Sequence, residues 1–147
     1  MPNRKTKETR EIAAGRLEIR DGYLLVCFEG QLNAKDLAKT TDEIHSNIQY
    51  QTMNDLWDLR ACTVDDLSYG QVQNIFEHIR SRGFRQHKRS AILVSSEHHF
   101  GLSRIYQALS DNERKDLLSI GIFRGLEAAQ QWLREEPGQG TPKAPIR

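Results

Sequence analysis

The sequence predicts an α/β domain in which helices pack on a mixed, mostly parallel sheet of five strands. Strand-like and helix-like segments alternate in the order β-β-α-β-α-β-α-β-α, and Asp21-Gly22, a dipeptide typical of tight hairpins, separates the first two strands. A hairpin followed by strand–helix units makes most strands parallel, because each helix returns the chain to the same end of the sheet. The length of 147 residues agrees with a single domain of this class.

Five segments have the composition of strands. Residues 16–20 alternate apolar and charged side chains, which is typical of a strand with one side facing solvent. Residues 23–28 and 90–95 are nearly continuous apolar runs, and they predict strands that are covered on both faces. Residues 54–60 form a short strand interrupted by acidic residues, and residues 118–123 form the last strand.

Four helices are predicted from apolar side chains that recur at three- and four-residue spacing. The positions are Leu37, Thr41, Ile44 and Ile48 in the first helix, Val72, Ile75, Phe76 and Ile79 in the second, Leu102, Ile105, Tyr106 and Leu109 in the third, and Leu126, Ala129, Trp132 and Leu133 in the fourth. Asn33 and Ser68 are suited to cap the first two helices, and Gly83 is suited to end the second.

The two ends of the chain differ from the segment between them. Residues 1–15 predict a flexible basic tail, residues 16–134 the folded domain, and residues 135–147 a disordered tail rich in Pro and Gly. The first ten and last eleven residues together hold six basic side chains and one acidic side chain. The total of 21 basic against 20 acidic residues therefore conceals a mildly acidic domain, which argues against a nucleic-acid-binding protein.

Composition also indicates where the protein works. No stretch approaches the ~20 apolar residues that a transmembrane helix needs, and the basic N-terminus lacks the apolar run of a secretory signal. Cys27 and Cys62, the two cysteines, lie in or beside apolar segments, which favours a reducing compartment over a disulfide scaffold. We therefore expect a cytoplasmic protein.

Four stretches carry patterns that are found together in one known family. They are residues 25–37, a strand ending in Gly before a capped helix; residues 55–60, which end in Asp-Leu-Arg; residues 91–106, an apolar strand before Phe-Gly-x-x-Arg-x-Tyr; and residues 122–133, with Glu-Ala before Trp-Leu. Residues 16–134 thereby resemble the STAS domain of anti-sigma factor antagonists and sulfate-transporter tails, in its bacterial SpoIIAA-like branch. The resemblance implies this fold, which is grouped with that of the CRAL-TRIO lipid-transfer domains.

The chain departs from this family where anti-sigma factor antagonists carry a phosphorylated serine. No Ser-Gly pair follows the third strand, and Thr63 and Ser68 are the hydroxyls available as phosphoacceptors. Asp65 and Asp66 lie between them and would repel a phosphate of about −2 charge. A phosphorylation switch is therefore not expected to follow the mechanism of the family.

The carboxyl ends of the strands hold the candidate site, because ligands of open α/β sheets bind there. Asp58 and Arg60 lie at the end of the predicted strand at residues 54–60, and His99, Gly101 and Arg104 follow the predicted strand at residues 90–95. At the start of a helix, an Arg and the free backbone N–H groups can hold an anion together. The leading hypothesis is a non-enzymatic regulatory or interaction module that binds a protein partner or a small anion.

Two other functions remain open. A cavity between a helix and the sheet would make the protein a carrier of a small apolar or lipid ligand, as the kinship with lipid-transfer domains suggests. A hydrolase would use Ser95 or Cys62, but the Gly-x-Ser-x-Gly motif is absent, so an enzyme is expected less than a binding module. His98 and His99 are adjacent and lack the spacing of zinc ligands, so neither a metal nor another cofactor is expected.

A basic segment at residues 80–89 is a further candidate surface. Its basic residues are Arg80, Arg82, Arg85, Lys88 and Arg89. The segment predicts a docking patch for an anionic partner, although cations are also favoured wherever a helix ends. We expect no nucleic acid there. The half-exposed first strand is expected at an edge of the sheet, which leaves a homodimer open.

Overall fold

The computed structural model describes residues 9–12, 15–82, 88–114 and 118–135. The strands in these ranges are β1 (Thr9–Ile12), β2 (Gly15–Arg20), β3 (Tyr23–Phe28), β4 (Gly30–Gln31), β5 (Asp55–Asp58), β6 (Cys62–Thr63), β7 (Lys88–Leu93) and β8 (Leu118–Phe123). The helices are α1 (Ala34–His45), α2 (Ile48–Gln51), α3 (Tyr69–Arg82), α4 (Glu97–Arg114) and α5 (Leu126–Arg134). Within the same ranges, no helix is both long and apolar enough to cross a membrane. The predicted helix end at Gly83 and residues 136–147 of the predicted C-terminal tail lie outside the described residues.

Six strands form one sheet in the order β1-β2-β3-β5-β7-β8. β1, β2 and β3 are antiparallel neighbours, whereas β3, β5, β7 and β8 run parallel to one another. All five strands expected from the sequence are present, which confirms the mixed, mostly parallel α/β sheet. The hairpin turn between β2 and β3 is also confirmed, because Asp21 and Gly22 have φ angles of 51° and 87°, as its tight turn requires.

The sixth strand, β1, corrects two expectations. It falls within residues 1–15, which were expected to be a flexible tail, yet Thr9–Ile12 pairs along its length with β2. β2 is consequently an inner strand and not the edge strand that its half-exposed pattern suggested. The edge that favoured a homodimer is therefore occupied by the chain itself.

The helix starts follow local signals in the sequence. The side chain of Asn33 accepts a hydrogen bond from the Asp36 N–H at 2.9 Å, which starts α1. The Ser68 hydroxyl oxygen accepts from the Gln71 N–H at 3.2 Å, at the start of α3. Both predicted caps are therefore confirmed.

Ile48 does not belong to the first helix, although its spacing from Ile44 suggested that it does. α1 ends at His45. The side chain of Asn47 then accepts hydrogen bonds from the backbone N–H groups of Gln49 and Tyr50 and starts α2. Ile48 is 57% exposed as a result. A local cap therefore overrode the helical periodicity at this point.

Alternation along the strands gives the sheet two covered faces. On the first face, called the α5 face, strand residues pack against the single helix α5. The buried residues of this cluster, from the strands and from α5, include Leu25, Leu56, Ala91, Leu93, Phe123, Ala129, Trp132 and Leu133. The second, the cavity face, is covered by α1, α3 and α4. Its strand residues include Leu24, Val26, Trp57, Ile92, Ile120 and Ile122. The core is thus divided between the two faces of the sheet.

Candidate functional site

A cavity of about 140 Å³ lies on the cavity face, between the sheet and the helices α1, α3 and α4. Its wall is mainly apolar and includes Leu37, Ile44, Val72, Ile75, Ile92 and Leu102. Each helix contributes apolar residues from the side that faces the sheet. The cavity therefore lies where three amphipathic helices meet over one surface of the sheet. Its position matches the space between helix and sheet that a carrier of an apolar ligand would need.

Two opposite charges face this cavity from adjacent strands. Lys88 Nζ lies 3.1 Å from Asp55 Oδ2, and the two side chains are 12% and 2% exposed. The Trp57 indole N–H donates to Asp55 Oδ1 at 2.9 Å, so both carboxylate oxygens have a partner. Buried charges are tolerated when they are paired in this way. The cavity wall is therefore polar at this point but carries no net charge there.

Three hydroxyl-bearing residues add to the same wall: Ser90, Ser103 and Tyr106. Ser90 lies opposite Asp55 in the register of β5 and β7. No residue in the described ranges forms a hydrogen bond with any of the three hydroxyls. Burial, and then the charge of Asp55, raises the pKa of Tyr106, which is therefore an uncharged phenol able to donate a hydrogen bond.

The polar side of α4 is not predicted by the sequence pattern. Apolar spacing predicts that Leu102 and Ile105 are buried, but both are only half-buried, whereas His99 and Ser103 are buried. The signal that would have found this side is the helical spacing of polar residues, since His99, Ser103, Tyr106 and Ser110 recur four, three and four positions apart. Polar residues on one helical face indicate a polar-lined space when that face packs on a sheet.

The five residues predicted at the carboxyl ends of the strands do not form one open site. Asp58 and Arg60 bind each other, because the Arg60 Nε and its second terminal nitrogen donate to the two carboxylate oxygens at 3.0 Å each. Burial alone would raise the pKa of Asp58, but the hydrogen bonds from Arg60 hold it below its ordinary value. This pair is therefore satisfied without a ligand.

His99 is 3% exposed and uses both ring nitrogens within the protein. The Ser95 backbone N–H donates to His99 Nδ1 at 3.1 Å, and His99 Nε2 donates to the Cys62 carbonyl oxygen at 2.8 Å. These two bonds require the neutral tautomer with the proton on Nε2. His99 therefore fastens α4 to β6 and has no ring nitrogen left for a ligand.

Gly101 and Arg104 lie exposed on α4. A Cβ atom at Gly101 would meet no atom within 4 Å, so the close approach of a neighbour does not require glycine there. The Arg104 guanidinium lies 5.9 Å from the centroid of the Phe100 ring, and that of Arg124 lies 5.3 Å from the same ring. In the described part of the chain, Arg104 forms no ion pair.

The candidate nucleophiles and phosphoacceptors are not activated. Burial, with a smaller effect of Asp58, raises the pKa of Cys62 to about 11, and its thiol donates to the Leu59 carbonyl at 3.3 Å. The nitrogen of His99 nearest Ser95 is occupied by the backbone N–H and not by the hydroxyl. Thr63 is exposed, and the Ser68 hydroxyl is used as the cap of α3.

His98 is also engaged elsewhere. Its Nδ1 lies 3.3 Å from the carboxylate of Asp65, and no hydrogen bond joins it to the candidate nucleophile Ser95 within the described ranges. No cluster of three metal-binding side chains occurs among the described residues.

Two members of the predicted basic patch point into the fold, Arg89 being buried and Lys88 largely covered, which corrects that prediction for these two residues. Successive residues of β7 point to opposite faces, so Lys88 faces the cavity and Arg89 faces α5. Arg89 is 1% exposed, and its guanidinium donates to the Trp132 carbonyl oxygen at 2.6 Å and lies 3.5 Å from Glu135. Neither cation is available to a docking partner.

The remaining members of the patch are partly neutralised. Arg80 binds Glu77 one turn earlier in α3, and Arg82 binds Asp42 of α1 at 2.8 Å. Arg85 lies outside the described residues. The described cations of this segment therefore stabilise the helix pair or the sheet, and they do not form a continuous positive surface.

Comparison with solved structures identifies the fold. The chain is similar to an uncharacterized protein of the DUF3478 family with a SpoIIAA-like fold from Shewanella loihica PV-4, with a TM-score of 0.53 and 20% sequence identity. The match covers 89% of this chain and 99% of that chain. No family model and no curated protein matches the chain. The protein therefore has the SpoIIAA-like, STAS-type fold that its sequence resembles, and at this identity the likeness concerns the fold alone.

Proposed function

We propose that this protein binds a small, mainly apolar molecule in the cavity between the sheet and α1, α3 and α4, as a carrier or receptor without chemical turnover. The observation that carries the proposal is the cavity of about 140 Å³. Protein interiors are close-packed, so an apolar-lined space of this size between a sheet and its helices is unusual. A small apolar molecule that enters the space would bury its own surface and that of the wall.

The groups around the cavity suit binding better than catalysis. The Lys88–Asp55 pair in the wall is neutral as a whole. Cys62, which is not one of the residues that line the cavity, is a thiol and not a thiolate at physiological pH, since burial raises its pKa to about 11. The wall is mainly apolar with a few polar groups at defined positions, which is the usual composition of a small-molecule site. This evidence supports a carrier more than it supports the hydrolase.

The test uses toluene as the probe and two variants with the same substitution. Ile75→Phe introduces a ring into the cavity wall, whereas Ile48→Phe adds the same ring at an exposed position of α2. We expect toluene to shift the NMR signals of α3 and α4 in the wild type and in Ile48→Phe, and to shift them far less in Ile75→Phe. Circular dichroism confirms that each variant is folded. Equal shifts in all three proteins, or none in the wild type, would contradict the proposal.

The exposed Arg104 favours a second function, the docking of a small anion or an acidic partner at the carboxyl edge of the sheet. Its guanidinium lies over Phe100, and no ion pair within the described residues neutralises it. We expect inorganic phosphate to shift the signals near Arg104 in the wild type and not in Arg104→Ala, while the melting temperature stays the same. A large drop in the melting temperature of Arg104→Ala would show that this residue is structural.

A further inference from the structure

We propose that the ligand of the cavity is an uncharged molecule of about single-ring size that carries one hydroxyl or carbonyl group, held by the polar groups around Lys88 and Asp55. This inference rests on the proposed function, because it names the class of molecule that the same cavity takes. Three properties of the wall support it: its volume, its charge balance and its unpartnered hydroxyls.

The volume limits the size of the ligand. A cavity of about 140 Å³ is close to the roughly 150 Å³ apolar cavity that holds benzene in another protein. This volume encloses about one ring or a short chain, and a long acyl chain would extend beyond it. The ligand expected from the sequence, a small apolar molecule or a lipid, is thereby narrowed to a molecule of about one ring or a short chain.

The charge balance limits the head group. The charges of Lys88 and Asp55 cancel, and both carboxylate oxygens already have partners. A ligand carboxylate would place a second negative charge beside Asp55, and a ligand ammonium a second positive charge beside Lys88. Either would be a buried charge without a counter-charge, which costs far more than a neutral polar group. His45, another residue of the wall, donates its Nδ1–H to the Thr41 carbonyl at 2.9 Å, so this ring nitrogen is used within α1.

The hydroxyls favour a ligand with one polar atom over a pure hydrocarbon. Ser90, Ser103 and Tyr106 line the cavity without a hydrogen-bond partner in the described part of the chain. Lys88 has three N–H donors, of which Asp55 takes one. A hydrocarbon would offer these groups no hydrogen bond, whereas a hydroxyl or carbonyl oxygen would accept from them. The Tyr106 ring lines the cavity and packs edge-on against Phe76, with centroids 5.9 Å apart, so the position of the phenol is fixed by this contact.

The experiment compares four one-ring probes of similar size near neutral pH: toluene, benzyl alcohol, benzoate and benzylamine. Dissociation constants are measured by NMR titration on the full chain. We expect benzyl alcohol to bind about threefold to tenfold more tightly than toluene, the gain of one hydrogen bond. Benzoate and benzylamine, charged at this pH, are expected to bind at least about tenfold more weakly than toluene.

Two matched variants identify the head-group contact. Tyr106→Phe removes one hydroxyl from the cavity wall. Tyr69→Phe, the control, removes one hydroxyl from α3 at a residue that is 62% exposed. We expect Tyr106→Phe to lower the affinity for benzyl alcohol severalfold and to leave that for toluene unchanged. Tyr69→Phe is expected to change neither affinity.

Each contrary outcome has a distinct meaning. Toluene binding as tightly as benzyl alcohol, or benzoate binding more tightly than both, would overturn the head-group inference and leave the proposed function standing. Dodecanol competing as well as benzyl alcohol would overturn the size limit. An equal loss of both affinities in Tyr106→Phe would assign Tyr106 to shape and not to head-group recognition. If none of the four probes binds, the proposed function itself fails.

Discussion

The two faces of the sheet are built from the same kinds of strand residue but are closed to different degrees. On the α5 face, a Cβ atom at Gly121 would lie 2.7 Å from the Phe123 ring and 3.0 Å from the Trp132 ring, so no space remains at this position. On the cavity face, three helices leave about 140 Å³ open. A single helix seated on small residues closes its face, whereas three helices that must also pack on one another do not. We infer that the α5 face holds the fold together and the cavity face is free to bind.

Lys88 and Arg89 illustrate the same contrast at neighbouring positions. Arg89 points to the α5 face and donates to the Trp132 carbonyl near the end of α5, where the partial negative charge of the helix favours a cation. Lys88 points the other way and binds Asp55 in the cavity wall. Arg89 therefore holds α5 against the sheet, whereas Lys88 lines the cavity.

The largest effect is expected from emptying the closed face. Trp132→Ala removes a ring that is 5% exposed and packs on Phe123, so we expect the free energy of unfolding to fall by about 4 kcal/mol. Urea denaturation followed by circular dichroism measures this loss. A loss below about 1 kcal/mol would mean that the α5 face is loosely packed in solution, and the contrast between the faces would be lost.

A smaller effect, of different size on each face, is expected when valine is introduced at the neighbouring positions 90 and 91. Ala91 is fully buried under α5 beside Gly121, so Ala91→Val is expected to lower the free energy of unfolding by about 2 kcal/mol. Ser90 faces the cavity, so Ser90→Val is expected to stay within about 0.5 kcal/mol of the wild type or to exceed it. Parallel urea curves give both values. Equal destabilisation of the two variants would indicate a closed cavity face and would remove the main support for a bound ligand.

The features that the sequence predicted correctly depend on neighbours in the chain. Asn33 and Ser68 cap their helices through bonds to residues three positions away, and the Asp21-Gly22 turn depends on its own backbone. The cavity depends on contacts between distant residues. Lys88 belongs to a basic segment in the sequence, and only the adjacency of β5 and β7 brings it to Asp55.

The residues expected to form one site at the carboxyl ends do not come together, for a related reason. Strand ends were located correctly, but the sequence does not say whether a polar side chain already has a partner. Asp58 and Arg60 satisfy each other across two residues, and His99 is consumed by the Ser95 N–H and the Cys62 carbonyl. Residue types therefore indicate that this edge of the sheet is polar, but not whether its side chains are free to bind a ligand.

The smallest effect is expected at the Asp58–Arg60 pair. This pair and the Asp55–Lys88 pair lie at opposite ends and on opposite faces of β5. Burial would raise the pKa of Asp58, but the hydrogen bonds from Arg60 prevail and lower it from 3.8. A carboxyl group with a lowered pKa in the folded state contributes stability above its ordinary pKa, and this contribution is lost as the pH falls through the folded value. Because Arg60 is 43% exposed, solvent screening limits the contribution to about 0.5 kcal/mol.

Asp58→Asn is therefore expected to lose about 0.5 kcal/mol less stability than the wild type between about pH 6 and about pH 3. Asp66→Asn, at an exposed position before α3, provides the control and is expected to follow the wild type. Urea denaturation at each pH measures the difference. If Asp58→Asn also followed the wild type, Asp58 would not be held by Arg60 in solution. Both side chains would then be open to a ligand, and the carboxyl edge would compete with the cavity as the binding site of this protein.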